Sequence, residues 1–257
     1  MTREAAIIPF VKSGFAAILV FPLLAGAVAA EEAGPADLAI ARSVATMLQS
    51  ARAVVSVNQA RINDPDIGDK GLSGAVVLEE AIANYRKATG RDPRTVDPTS
   101  YEGRLLKAQM DAVVEVMDAN QATINTKGKG FKGFIPATFT RLVNEAFEAR
   151  IGAEASMKFT APPVLIRNRK ARPDAFEAAA IRDYLEAADW PKGQIYSATV
   201  EEDGRRRARV MVPEYYAPSC LTCHGDPAGE LDITGYPKEG AHEGDLGGVI
   251  SIGLIPQ

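Results

Sequence analysis

Apolar residues recur at helical spacing through the first half of the chain. Between residues 36 and 63 they fall three or four positions apart, and an Asn-Asp-Pro sequence at residues 63–65 ends the pattern. Similar stretches cover residues 72–89, 103–124 and 136–151. Gly90 follows the second stretch as a C-cap would, and Pro136 begins the fourth. This half of the chain is therefore predicted to be helical.

The pattern changes after residue 155. Short apolar or alternating runs predict strands, at residues 157–160, 164–167, 194–200, 205–212 and 248–255. One more helix is predicted over residues 174–188, with Asp174 as its N-cap. Asp203-Gly204 separates two of the strand-like runs and is typical of a hairpin turn. Helices followed by antiparallel strands predict an α+β fold, organised as a single domain over residues 31–257.

The first 30 residues have the order of a secretory signal peptide. Arg3 and Lys12 precede an apolar run over residues 14–24, and small residues follow up to Ala30. The run is about half of the roughly 20 residues that a membrane span needs, and Pro22 interrupts it. Cleavage near Ala30 would leave a mature protein in the periplasm or outside the cell. A retained N-terminal anchor is the alternative.

Composition narrows the classes of function. Hydrophobic residues make up 46% of the 257 residues and charged residues 24%, which is typical of a folded globular protein. The formal net charge of −4 gives no basis for the clustered basic surface that nucleic acids require, so no nucleic-acid partner is expected. Two cysteines are too few for a disulfide scaffold.

Both cysteines and one of the two histidines lie in a single C-x-x-C-H motif, formed by Cys220, Cys223 and His224. This motif is the attachment signature of c-type haem. Residues three apart on a helical turn share a face, so both cysteine sulfurs could bond to the vinyl groups of one haem. The adjacent His224 could then supply the proximal iron ligand. The motif predicts one covalently attached haem c.

Two other chemistries are compatible with these residues. A structural disulfide or a thioredoxin-like redox pair would use Cys220 and Cys223, but such a pair normally opens a helix after an early strand. A zinc site would need four ligands, which Cys220, Cys223, His224 and His242 could supply only at an irregular spacing. Haem is favoured over both.

The motif leaves the sixth iron position open. A protein ligand could come from one of five methionines or from the second histidine, namely Met47, Met110, Met117, Met157, Met211 and His242. Each methionine is equally suited to core packing. An unligated position is a further possibility, because the iron could then bind a gas or a small anion.

Several segments together resemble a known family. They are Asn58-Gln59 with Ile62-Asn63, residues 131–137 (FKGFIPA), Arg167-Asn168, residues 220–225 and residues 244–251 (GDLGGVIS). In this order they resemble a family of exported single-haem c-type domains with a PAS-like fold, long catalogued as a domain of unknown function. Its members are sensor parts of histidine kinases and chemoreceptors, and also stand-alone haem proteins.

The resemblance implies a central antiparallel sheet flanked by long N-terminal helices, with the haem near the sheet edge. It implies Cys220 and Cys223 as attachment points and His224 as an axial ligand. Some members take a distal sulfur from the first long helix, which makes Met47 the leading distal candidate here. The chain departs from the family after Arg167-Asn168, where residues 169–171 replace an expected Asn-Pro-like turn.

Two functions remain open on this basis. A haem-based sensor would respond to redox state or to a small ligand, and an electron carrier would hold a firmly six-coordinate iron near the surface. No motif places a further catalytic side chain beside the haem, so an enzyme is less expected. A redox or signalling protein is the expected partner. The N-terminal helices could form a homodimer or pack on their own sheet.

Overall fold

The computed structural model describes residues 31–257, and the predicted signal peptide, residues 1–30, lies outside them. The α-helices in this range are α1 (Pro35–Val57), α2 (Gln59–Asn63), α3 (Gly74–Thr89), α4 (Tyr101–Ala119), α5 (Gln121–Ile124), α6 (Pro136–Ile151), α7 (Ala175–Ala180) and α8 (Leu221–His224). The strands are β1 (Ala155–Thr160), β2 (Tyr196–Glu202), β3 (Arg205–Tyr215) and β4 (Leu246–Leu254). Short 3₁₀ turns cover Pro93–Thr95, Gly152–Glu154, Pro163–Leu165, Arg169–Ala171 and Pro218–Cys220.

Asparagine side chains interrupt two of the predicted helices. Asn58 leaves helical geometry (φ −93°, ψ 8°), and its Nδ2 donates to the carbonyl of Val54 at 2.8 Å. Asn120 does the same between α4 and α5, with its Nδ2 at 2.7 Å from the carbonyl of Val116. Such side chains compete with the backbone for helical carbonyls. The predictions of unbroken helices over residues 36–63 and 103–124 were therefore wrong at these two residues.

Other helix boundaries follow the predicted capping residues. Gly90 ends α3 in the left-handed conformation (φ 72°), and Pro136 is the first residue of α6. Asp174 forms a capping box with Glu177 at the start of α7. The single helix predicted over residues 174–188 is α-helical only as far as Ala180, and a π-helical turn at Ile181–Leu185 follows it.

The strands form one antiparallel sheet in the order β1-β4-β3-β2, which confirms the α+β class. Asp203 and Gly204 join β2 to β3 with positive φ values of 52° and 71°, as the hairpin signal predicted. The strand predicted over residues 164–167 was wrong. Pro162 and Pro163 carry no N–H for a ladder hydrogen bond, and the chain makes a 3₁₀ turn there instead.

The two faces of the sheet pack against different helices. Alternate residues on one face, including Met157, Val210 and Ile252, join the main core with apolar residues of α1, α4 and α6. The opposite face carries Met211 and Val249, which pack under α7 in a smaller cluster. The apolar sides of the long helices are thus buried against one another, and α1 and α6 also pack on the sheet.

A long connection between β3 and β4 holds the C-x-x-C-H motif. Two backbone hydrogen bonds close its base, from Tyr216 to the Asp245 carbonyl (2.9 Å) and from Gly244 to the Tyr216 carbonyl (2.8 Å). The motif is thereby held at the end of the two central strands. No helix within residues 31–257 has the length and apolarity required to cross a membrane.

Candidate haem site

The motif is folded as a tight turn. A 3₁₀ turn at Pro218–Cys220 runs into α8, and Gly225 ends it by donating its N–H to the Leu221 carbonyl at 2.8 Å. A Cβ on Gly225 would lie 2.6 Å from that carbonyl oxygen, so the turn requires glycine here. Cys220 and Cys223 are free, partly exposed thiols on this turn. The structure therefore brings both predicted attachment residues together with His224.

The hydrogen bonds of His224 leave one ring nitrogen available. Its Nδ1 lies 2.8 Å from Oε2 of Glu239. An ionised carboxylate only accepts hydrogen bonds, so Nδ1 carries the proton and Nε2 has a free lone pair. Nε2 has no hydrogen-bond partner among residues 31–257. The hydrogen bond from Nδ1 to Glu239 therefore selects the tautomer in which Nε2 can ligate iron.

Tyr216 fixes the plane of the His224 ring. The two rings stack at 4.9 Å between centroids with an interplanar angle of 27°. Burial, reinforced by the Glu239 carboxylate, raises the pKa of Tyr216 to about 12, so its hydroxyl stays protonated. Gly247 permits this arrangement, because a Cβ there would lie 2.7 Å from the Tyr216 ring.

Arg167 connects the ligand histidine to the surrounding loop. Its guanidinium reaches both carboxylate oxygens of Glu239 at 2.9 Å and the Cys223 carbonyl at 3.0 Å. It also pairs with Asp232 at 2.7 Å. Burial acts to lower the pKa of Arg167, but these partners outweigh it and raise that pKa.

Asp232 is the buried anchor of the same loop. Besides Arg167, its carboxylate accepts hydrogen bonds from the backbone and hydroxyl of Thr234 and from the Tyr236 N–H. Burial favours a raised pKa, but these donors hold the pKa of Asp232 well below its usual range. Burial and the nearby Asp232 carboxylate also raise the pKa of the Cys223 thiol.

Helix α1 contacts the segment that precedes the motif. The hydroxyls of Ser56 and Ser219 lie 3.2 Å apart, one residue before Cys220. Arg52 pairs with Glu214 of β3 and lies over the Phe159 ring at 5.1 Å. Burial lowers the pKa of Arg52. The C-terminal half of α1 therefore contacts the segment that carries the cysteines.

Several exposed apolar side chains lie close in sequence to residues that contact the motif. Among the nine large apolar residues that are exposed within the described range, Val57 follows Ser56, Val164 lies three residues before Arg167, and Leu231, Ile233 and Tyr236 lie beside Asp232 or four residues after it. An exposed apolar patch marks a ligand or interaction surface. A haem is a large apolar group, and two thiols with a free imidazole nitrogen are the donor set that attaches it. The residues present therefore fit a covalent haem c.

The structure does not bring Met47 to the motif. Met47 is fully buried in the main core. At about 3.6 residues per turn, it lies roughly 140–180° around α1 from Arg52 and Ser56, which face the motif. Met47 as a distal ligand stays a prediction that this geometry does not favour.

The remaining distal candidates are also engaged elsewhere. Met157 accepts a hydrogen bond from Nε2 of Gln109 at 3.7 Å, and Met211 packs under α7. Met117 is buried in the main core, and the partly buried Met110 packs against that core. His242 is exposed and faces Asp245 at 3.5 Å.

The two alternatives to haem receive no structural support. The cysteines are not joined in a disulfide. Over the described residues, no cluster of three or more His, Cys, Asp or Glu side chains is arranged to hold a metal ion such as zinc.

Sequence reasoning missed three residues of this site, Tyr216, Asp232 and Glu239. Glu239 lies 15 positions after His224 in a polar loop, and nothing local distinguishes it from other surface acids. Arg167, Gly225 and Gly247 lie within the segments that carry the family resemblance.

A family model described as Tll0287-like (Tll0287) matches residues 31–254. No curated protein and no solved structure matches the chain. The matched range covers nearly all of the described residues and includes the C-x-x-C-H motif, Arg167 and Gly247. The chain therefore belongs to the Tll0287-like family, the family of PAS-like haem c domains that the order of its motifs indicated, and is a haem-binding domain of that family.

Proposed function

We propose that this protein is an exported monohaem c protein that senses redox state or a small ligand. The observation that carries the haem assignment is the free Nε2 of His224, oriented by Glu239, beside two free thiols. When bound, the haem supplies an iron that changes oxidation state or takes up a ligand. The protein's own residues would attach it through Cys220 and Cys223 and present the His224 imidazole.

The positions of the methionines support sensing. Met47 is in the core on the far side of α1, and Met157 and Met211 are engaged in packing. A sixth iron position without a firm sulfur ligand would admit a gas or a small anion. This favours a labile site over the saturated iron of a carrier.

Helix α1 provides a route by which a change at the haem could reach the rest of the molecule. It spans 23 residues, touches Ser219 through Ser56 and joins β3 through Arg52. A displacement of the segment that carries the cysteines would therefore also displace α1, the longest helix among the described residues. This supports a signalling partner that recognises the helical side.

Electron transfer is the second candidate. The exposed apolar residues close in sequence to residues that contact the motif, such as Val57, Val164 and Leu231, support a haem whose edge lies close to the surface. A redox partner would dock on that surface, and rapid transfer requires such proximity.

Optical spectra of protein made with a c-haem maturation system test both candidates. We expect haem to remain with the protein after acid-acetone extraction, and to be lost in the variant carrying both Cys220→Ser and Cys223→Ser. Free release of haem from the unmodified protein would contradict covalent attachment. Ready binding of carbon monoxide by the reduced form would support the sensor, and unmoved low-spin bands would support the carrier.

Met47→Leu completes the test of the distal ligand. We expect its oxidised and reduced spectra to match those of the unmodified protein, because the Met47 sulfur lies in the core. A change from low-spin to high-spin bands would instead identify Met47 as the ligand.

A further inference from the structure

The His224 imidazole is hydrogen-bonded to a carboxylate rather than to a neutral carbonyl. The distance from Nδ1 to Oε2 of Glu239 is 2.8 Å, and Nδ1 is the donor because the carboxylate can only accept. Tyr216 Oη lies farther away, at 3.3 Å, and cannot donate to a nitrogen that already bears a proton. Glu239 is therefore the principal partner of the ring. A carboxylate acceptor raises the basicity of a ligating histidine.

Arg167 holds Glu239 in this orientation. Its Nε and one terminal nitrogen each lie 2.9 Å from a different oxygen of the carboxylate, which fixes both the position and the plane of that group. The Arg167 and Glu239 side chains are only 19% and 21% exposed, so water screens the interaction weakly. A lysine ammonium would supply the same charge but could not donate two parallel hydrogen bonds that hold both oxygens of Glu239.

The charges around Glu239 leave it able to act on the imidazole. Arg167 is shared between Glu239 and Asp232, so one positive charge serves two carboxylates. Asp232 also has three donors from Thr234 and Tyr236, which satisfy it independently of Glu239. These three charged side chains together carry one net negative charge, and the carboxylate nearest to the ring is that of Glu239.

We infer that Glu239, positioned by Arg167, strengthens electron donation from His224 and thereby lowers the reduction potential of the haem; this rests on the proposed haem c function. A more basic axial ligand stabilises the oxidised, more positively charged iron relative to the reduced iron. Glu239 and Arg167 are positioning residues in this sense, since they act through His224.

Glu239→Gln is the direct test, because glutamine keeps the shape and an acceptor oxygen but removes the charge. We expect a higher midpoint potential in spectroelectrochemical titration, with an unchanged amount of covalent haem per protein. Asp226→Asn is the matched control. It removes an exposed carboxylate two residues from His224 that faces His242 and not the ligand ring. The control is expected to leave the potential nearly unchanged.

Arg167→Lys separates positioning from charge. Lysine keeps the positive charge but cannot hold both oxygens of Glu239, so we expect a shift in the same direction as Glu239→Gln and smaller. If Glu239→Gln fails to take up haem, an unchanged potential in Arg167→Lys overturns the whole inference, and a raised potential supports it.

The outcomes are distinguishable. An unchanged potential in Glu239→Gln, or an equal shift in Asp226→Asn, would overturn the inference and show either no effect or a through-space charge effect. An unchanged potential in Arg167→Lys would overturn the positioning role of Arg167. Haem content of the unmodified protein is measured first, because failure to attach haem would overturn the proposed function instead.

Discussion

Gly247 lies where the Tyr216 ring passes closest to the backbone of β4. Replacing it with alanine would place a Cβ 2.7 Å from the ring, so that Tyr216, and with it His224, must shift. We expect Gly247→Ala to lower the free energy of unfolding by about 1–3 kcal/mol, the usual cost of overpacking. Urea denaturation of the haem-loaded protein measures this.

Gly130→Ala is the control for that substitution. No atom lies within 4 Å of a Cβ built on Gly130, so the expected change stays within about 0.5 kcal/mol. Equal losses in the two variants would contradict a steric role for Gly247.

Asp232 makes stability dependent on pH. Its pKa is lowered in the folded state, so its contribution is present above the unfolded pKa of about 4 and is lost as the pH falls toward the folded pKa. Asp232→Asn should cost about 2 kcal/mol at neutral pH, because charged hydrogen bonds to Arg167 and Thr234 are lost. Denaturation at a series of pH values should show a weaker loss of stability below pH ~4 in the variant.

Asp189→Asn provides the comparison, because Asp189 is an exposed acid of the same type. Its variant should follow the acid dependence of the unmodified protein. If Asp232→Asn retained the full acid dependence, another carboxylate would be responsible.

At the scale of elements, local signals located most helices and strands but not their interruptions. Capping at Gly90 and Asp174 and the Asp203-Gly204 turn depend on a few neighbouring residues, and all three were predicted correctly. The breaks at Asn58 and Asn120 were missed. At both positions the helix is interrupted where the asparagine side chain donates a hydrogen bond to the carbonyl four residues earlier. The hydrophobic pattern does not show whether an asparagine will make that bond.

The joint between α1 and β3 depends on a partly buried ion pair. Arg52 and Gln49 both donate to Glu214, whose side chain is 10% exposed. Arg52→Met would leave that carboxylate without its cation, and we expect a loss of roughly 3 kcal/mol in unfolding free energy. Adding Glu214→Met should recover part of the loss, which a double-mutant cycle by urea denaturation would measure.

Lys107→Met is the control for this cycle. Lys107 pairs with Asp111 on the exposed side of α4, where an ion pair contributes about 0.3–0.5 kcal/mol. If Arg52→Met lowered the free energy of unfolding no more than Lys107→Met does, the ion pair between Arg52 and Glu214 would not stabilise the contact between α1 and the sheet.

At the scale of the whole molecule, the predicted cleavage site lies next to a residue that contacts the sheet. The Glu31 carbonyl accepts from the Thr199 N–H at 2.6 Å, and its carboxylate pairs with Arg206 at 2.8 Å. The family match also begins at residue 31. We therefore expect the exported protein to start at Glu31, because cleavage after Ala30 would leave these contacts intact.

Intact-mass spectrometry of protein expressed with its own leader checks this prediction. The expected mass is that of residues 31–257 plus one haem. A mass that includes residues 1–30 in a membrane fraction would instead show a retained anchor.

The sequence by itself determined the family and predicted the haem and its attachment residues. Cys220, Cys223 and His224 lie within five consecutive positions, so one local turn is enough to bring them together. The tertiary structure decided how the ligand is held. Arg167 reaches Cys223 across 56 positions of the chain, and Glu239 reaches His224 only because the connection between β3 and β4 folds back on itself. Contacts of this kind depend on how distant segments pack, and no local pattern of residues encodes that packing.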